Sequence, residues 1–96
     1  MSDDFFWEPT KAARVLAERG ISLEEVKTVF EDAFLDVVPD LAHSIEEARF
    51  TAIGTSAQDR LLVVTFTERG QTIRIITARE ATPKERRQYE AGYSFD

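Results

Sequence analysis

Apolar residues along this chain first recur at helical spacing and then switch to strand alternation. Glu8-Pro9 opens a stretch running Lys11-Ala12-Ala13-Arg14-Val15-Leu16-Ala17-Glu18-Arg19, with proline in the first turn and Gly20 as its stop, so the pattern predicts a first helix. Ser22 stands three residues before Glu25 at capping-box spacing. Leu23, Val26, Val29, Phe30 and Ala33 then share one face of a second helix. A short apolar run between Phe34 and Pro39 predicts a brief strand, followed by a loop over Asp40-Leu41-Ala42-His43-Ser44 with Glu46-Glu47 at its acidic edge.

Strand signals strengthen from there. Ala48 to Thr55 alternates, Leu61 to Thr67 is rich in valine, leucine and threonine, and Thr72 to Ala78 carries three isoleucines. The intervening Ser56-Ala57-Gln58-Asp59 and Glu68-Arg69-Gly70-Gln71 are turns, the second a tight hairpin needing glycine's backbone freedom. Thr82-Pro83-Lys84-Glu85 combines an N-cap, a proline at the first helical position and glutamate at the third. A last helix should therefore pass through Arg86, Arg87 and Tyr89 towards Gly92, leaving a frayed tail from Tyr93 to Asp96. Two N-terminal helices, a four-stranded mainly antiparallel sheet and a C-terminal helix make an α+β fold with helices on one sheet face. Trp7, Phe30, Phe50 and Phe66 have the periodic neighbours of core residues rather than of a base-stacking platform.

At 96 residues the chain is expected to form one domain, residues 1–96, with a modest core. Its 43% hydrophobic and 31% charged residues fit a soluble globule and exclude a disordered polypeptide. Without cysteine there is neither a disulfide framework nor a thiolate metal site, which suits a reducing cytosol. No apolar run is long enough to span a membrane, and Met1-Ser2-Asp3-Asp4 is acidic where a signal peptide is basic, so a cytoplasmic location is expected. The net charge of -6 weighs against nucleic acid as a partner until its distribution is considered. Lys and Arg outnumber Asp and Glu between Arg60 and Arg87, while the rest of the chain is strongly acidic. That asymmetry points either to a basic working surface or to arginines scattered on a solvated strand face.

Several stretches resemble the BrnT toxins: Trp7-Glu8-Pro9-Thr10-Lys11-Ala12, Gly20-Ile21-Ser22-Leu23-Glu24-Glu25, Val29-Phe30-Glu31-Asp32, Glu47-Ala48-Arg49-Phe50 and Thr67-Glu68-Arg69-Gly70. The likeness continues through Ile73 to Arg79 and on to Glu85-Arg86-Arg87-Gln88-Tyr89-Glu90. The resemblance implies a RelE-like fold, RNA cleavage without a metal, and a partner antitoxin of the BrnA kind that binds both toxin and DNA. Two departures stand out. Glu18-Arg19-Gly20 replaces the family's common Lys-His-Gly, and Ala33 occupies a position where proline often follows the aspartate.

Cleaving RNA through its own 2′-hydroxyl requires a group to accept that proton, positive charge at the phosphate and a donor for the leaving oxygen. Arginine meets the second need through its planar, permanently charged fork, making Arg74 and Arg79 the leading pair. Arg74 alternates with Ile73 and Ile75, and Arg79 is read as lying just past the strand end. His43, the only histidine, is the candidate acid or base, with Glu46 as an alternative. Tyr89, three residues after Arg86, either donates a proton beside a phosphate ligand or packs on the sheet. Arg49, Arg60, Arg69, Lys84, Arg86 and Arg87 would attract RNA, although Arg49 could equally pair with Glu46 or Glu47.

No phosphate-cradling glycine motif, nucleophile triad, paired metal ligands or DNA-reading helix is present, so neither a cofactor nor direct DNA binding by this chain is expected. The leading expectation is an RNA endonuclease that inhibits translation, held in a hetero-oligomer by its antitoxin. Its rival is a catalytically inactive antitoxin-binding or RNA-binding module.

Overall fold

The computed structural model describes residues 4–43, 45 and 47–93. Strand β1 (Asp4–Trp7) is followed by helices α1 (Pro9–Arg19) and α2 (Leu23–Val29) and by strand β2 (Asp36–Pro39). A single 3-10 turn, Leu41–His43, leads to strands β3 (Arg49–Thr55), β4 (Leu61–Arg69) and β5 (Thr72–Glu80), and helix α3 (Pro83–Tyr93) closes the chain. Residues 94–96, most of the tail expected to fray, lie outside the described residues.

The sheet has five strands in the order β1-β5-β4-β3-β2, one more than the sequence predicts, and it is mixed. The additional strand is β1, which pairs in parallel with β5, Asp4 opposite Thr72 and Trp7 opposite Ile75. Four residues are too few to show alternation in a sequence, and this strand forms because β5 offers an open edge. Its side chains nonetheless alternate. Phe5 packs edge-on against Phe30, Trp7 is buried, and Phe6 faces outward on the other side of the sheet.

The helix ends follow local chemistry. Pro9 starts α1, the Glu8 carboxylate accepts from the Lys11 amide at 3.0 Å, and Gly20 ends it in the left-handed region at φ 69°. At α3 the expected capping box forms in full, with the Thr82 amide donating to Glu85 and the Glu85 amide donating to Thr82. At α2 only half of it forms. Ser22 accepts from the Glu25 amide, but the Glu25 carboxylate turns away to other partners. Helix α2 also stops at Val29, so Ala33 is not part of it.

One sheet face carries Ala52, Leu62, Val64, Phe66, Ile73, Ile75 and Ala78, which pack with Trp7, Val15, Ile21, Val26 and Val29 into one core beneath α1 and α2. Phe30 and Phe50 are partly buried against it, as their periodicity implies. The opposite face is open at one end. Along β4 and β5 the register slips between Thr65 and Phe66, where Ile76 is passed over between Ile75 and Thr77. Such a bulge reverses alternation on one strand. Arg74 and Arg79, five residues apart, therefore project from the same face. Strand β5 itself runs on to Glu80, so Arg79 lies within the strand rather than past its end.

Candidate functional site

Three pairings set a row across the open face: Arg49 lies opposite Thr67, Thr67 opposite Arg74, and Arg74 opposite Phe6. Neighbouring strands are roughly 4.8 Å apart, so the two arginines flank the threonine on adjacent strands. Thr67 is only 2% exposed, and its hydroxyl finds no hydrogen-bond partner among the described residues. Thr67 lines the cleft, where its hydroxyl can hydrogen-bond an oxygen-bearing ligand above it. Arg74 makes no ion pair with a described residue and instead lies over the Phe6 ring, its guanidinium carbon 5.1 Å from the centroid.

Arg49, Thr67 and Arg74 of this row floor a cleft of about 470 Å³ lined also by Lys11 at the start of α1 and by His43 and Glu47 from the β2–β3 connection, and Phe6 lies beside it beyond Arg74. His43 sits beside Asp40, its Nδ1 at 3.2 Å and 3.3 Å from the two carboxylate oxygens. A carboxylate only accepts, so this contact places a hydrogen on Nδ1, and a neutral ring then has its lone pair on Nε2. Glu47 is engaged differently: Arg69 donates to both of its oxygens, at 2.7 Å and 3.2 Å, and these bonds hold its carboxyl below the usual carboxylate range. It balances charge at the rim and is poorly suited to take a proton. Glu46, the alternative base in the sequence, lies outside the described residues.

Other sequence candidates are placed elsewhere. Arg79 shares the face of Arg74 but is gripped by Glu85 through two bonds of 2.8 Å. That pairing holds the Glu85 carboxyl down at about 2. Tyr89 is buried; its hydroxyl donates to Asp32 and lies 3.3 Å from the Thr55 hydroxyl, so it fastens α3 to the sheet. Arg60 is bound to Glu25 and to the Gly20 carbonyl on the far side of the molecule from the row. Arg86 pairs with Glu90 along α3, and Lys84 and Arg87 are exposed on the same helix. The structure thus brings together Arg49, Arg74 and His43 of the sequence candidates, with Arg69 one step away through Glu47.

Lys11, Thr67 and Phe6 were not singled out by sequence reasoning. Lys11 reads as an ordinary helix residue and Thr67 as a strand residue; strand register places Thr67 between two arginines, and Lys11 reaches the same cleft from α1. Among the described residues, no group of three or more His, Cys, Asp or Glu is arranged to hold a metal ion, and no helix is long and apolar enough to cross a membrane. What the cleft offers is a base on an orienting carboxylate, two guanidinium groups, an ammonium and an unpartnered hydroxyl. That set suits an anionic ligand whose reaction begins with loss of a proton.

A family model described as the ribonuclease toxin BrnT of type II toxin-antitoxin systems matches residues 7–85. Comparison with curated proteins finds no sequence match. Among solved structures, the 1.1 Å crystal structure of the Brucella abortus ribonuclease toxin BrnT superposes with a TM-score of 0.65 at 19% identity, covering 84% of this chain and 99% of that one. At that identity the likeness concerns the fold.

Proposed function

The chain belongs to the BrnT family of type II toxin-antitoxin ribonuclease toxins, and from that premise we propose that it is a metal-independent RNA endonuclease whose active site is the Arg49–Thr67–Arg74 cleft. The observation that carries the reading is the cross-strand row itself, with two arginines either side of a buried, unpartnered hydroxyl and His43 on the same cleft.

In this reaction the phosphodiester is gripped between Arg49 and Arg74, and the Thr67 hydroxyl donates to one of its oxygens. The His43 Nε2 takes the proton of the 2′-hydroxyl, the 2′ oxygen bonds to phosphorus, and the bond from phosphorus to the 5′ oxygen breaks. Lys11 supplies a proton to that leaving oxygen. The products are a 2′,3′-cyclic phosphate and a free 5′-hydroxyl. Negative charge developing on the phosphoryl oxygens is met by the guanidinium groups of Arg49 and Arg74 swung in from the cleft floor, an arrangement that commonly contributes a few kcal/mol of transition-state stabilisation. Arg79 and Tyr89, considered for catalysis from the sequence, serve instead to hold α3.

Cleavage of messenger RNA in the cytoplasm would slow translation. The partner is an antitoxin of the BrnA kind that binds DNA on its own account and covers the basic cleft in a hetero-oligomer, while this chain does not bind DNA alone. The decisive experiment compares wild-type protein with Arg74→Ala and Arg49→Ala, induced in cells without antitoxin and assayed on purified RNA in excess chelator. Growth arrest and RNA fragmentation by the wild type alone, unaffected by chelator, support the reading. Intact RNA with a verified fold overturns it. RNA that is bound but uncut would identify a binding module, a reading favoured by Arg19, which stands at the common histidine position and donates to the Ala78 carbonyl at 2.8 Å.

A further inference from the structure

Phe6 is 40% exposed on the outermost strand of the sheet, flanked in sequence by Phe5 and Trp7, which both turn inward to the core. An exposed aromatic on an edge strand gains little from folding, and nothing in the core requires it. Its place in the row gives it a use. Reading across the open face, the order is Arg49, Thr67, Arg74, Phe6: cation, hydroxyl, cation, ring.

Arg74 lies over the ring, and among the described residues no further strand lies beyond β1. We propose that Phe6, which adjoins the cleft beyond Arg74, is a base-stacking platform, and that one unpaired nucleotide binds with its phosphate in the cleft between Arg49 and Arg74 and its base against the exposed part of the Phe6 ring. This rests on the cleavage reading above and adds the substrate class: single-stranded RNA. One strand spacing, roughly 5 Å, separates Arg74 from Phe6, which matches the short reach from a phosphate to the base of an adjoining nucleotide. A base held flat on Phe6 cannot also be stacked inside an A-form helix, so duplex RNA is excluded unless it opens. Aromatic stacking tolerates every base, and the site would therefore select strandedness rather than sequence.

The test measures affinity for a short single-stranded 2′-O-methyl oligoribonucleotide, which lacks the attacking hydroxyl and cannot be cut, and for the same strand annealed to its complement. The wild type should bind the single strand more tightly than the duplex. Phe6→Ala should weaken single-strand binding about 10-fold without changing the dependence on salt, since no phosphate contact is lost. Phe6→Trp should restore it. Phe6→Leu keeps an apolar side chain on β1 and should behave like Phe6→Ala, which guards against a loss due to misfolding. Unchanged affinity in folded Phe6→Ala and Phe6→Leu, or equal binding of duplex, overturns the platform. If the wild type still cuts RNA in that case, the cleavage reading stands without it; if the wild type neither binds nor cuts, both fall together.

Discussion

Arg60 and Glu25 form a two-pronged ion pair, with the Arg60 Nε donating to one carboxylate oxygen at 2.9 Å and an Nη donating to the other. Glu25 is 3% exposed and also accepts from the Ser56 hydroxyl at 2.7 Å, while the same Arg60 reaches the Gly20 carbonyl and Glu80. The pair joins α2, the end of α1 and the start of β4, and Arg60 holds the Glu25 carboxyl below its ordinary range. Removing one partner strands a buried charge, so Arg60→Ala should cost about 3–5 kcal/mol in urea unfolding. Its RNA affinity should keep the wild-type salt dependence, whereas Arg74→Ala should lower the slope by about one phosphate contact. An unchanged unfolding midpoint would refute the structural role.

Glu85 gives a pH signature. Pairing with Arg79 lowers its carboxyl from the ordinary 4.5 to about 2, so the folded state holds fewer protons than the unfolded state between those values. Its contribution is present in full above about 4.5 and fades as pH falls towards about 2. After discounting for the partly exposed Arg79, this amounts to about 1–2 kcal/mol. Thermal unfolding from neutral to acid pH should show a shallower decline in Glu85→Gln than in the wild type. Parallel declines would mean the pair is energetically idle.

In the proposed reaction His43 and Asp40 divide one task. His43→Ala should lower RNA cleavage about 10²–10⁴-fold with little change in RNA affinity. Asp40→Asn, which keeps the shape but loses the carboxylate that fixes the Nδ1 hydrogen, should fall in between. Single-turnover cleavage read against filter binding separates the two effects. Full activity in His43→Ala would pass the role of base to another group.

Gly54 sits where the end of α2 crosses β3. A methyl group built there would lie 3.0 Å from the Val29 side chain and 3.1 Å from both Leu35 and the Val29 carbonyl oxygen. The carbonyl belongs to the backbone and cannot swing aside, so Gly54→Ala should destabilise by about 1–3 kcal/mol. Chemical denaturation checks this, and a neutral result would show that α2 can move off the sheet.

Helices and hairpins were legible because their signals are local. Pro9, Gly20, Ser22, Thr82 and Glu85 carry out in the structure the capping roles assigned from spacing, apart from the Glu25 carboxylate. Strand β1 was not, since four residues show no period and its partner is at the other end of the chain. The same limit applies to the site. Arg74 could be placed on the outer face from Ile73 and Ile75, but that Arg79 shares this face depends on the bulge at Ile76, and that it is spoken for depends on Glu85. Thr67 and Phe6 acquire meaning only from register, which composition and periodicity do not contain.

The parallel pairing of β1 with β5 also orders events in time. Asp4 to Trp7 are made well before Thr72 to Ile75 and can dock only when those residues have been synthesised and folded back on β4, several seconds later at ordinary rates of translation. Phe6 forms one end of the row and Lys11 comes in the first turns of α1 after β1, so the Phe6–Arg74 contact and the Lys11 side of the cleft are completed only once β5 is in place.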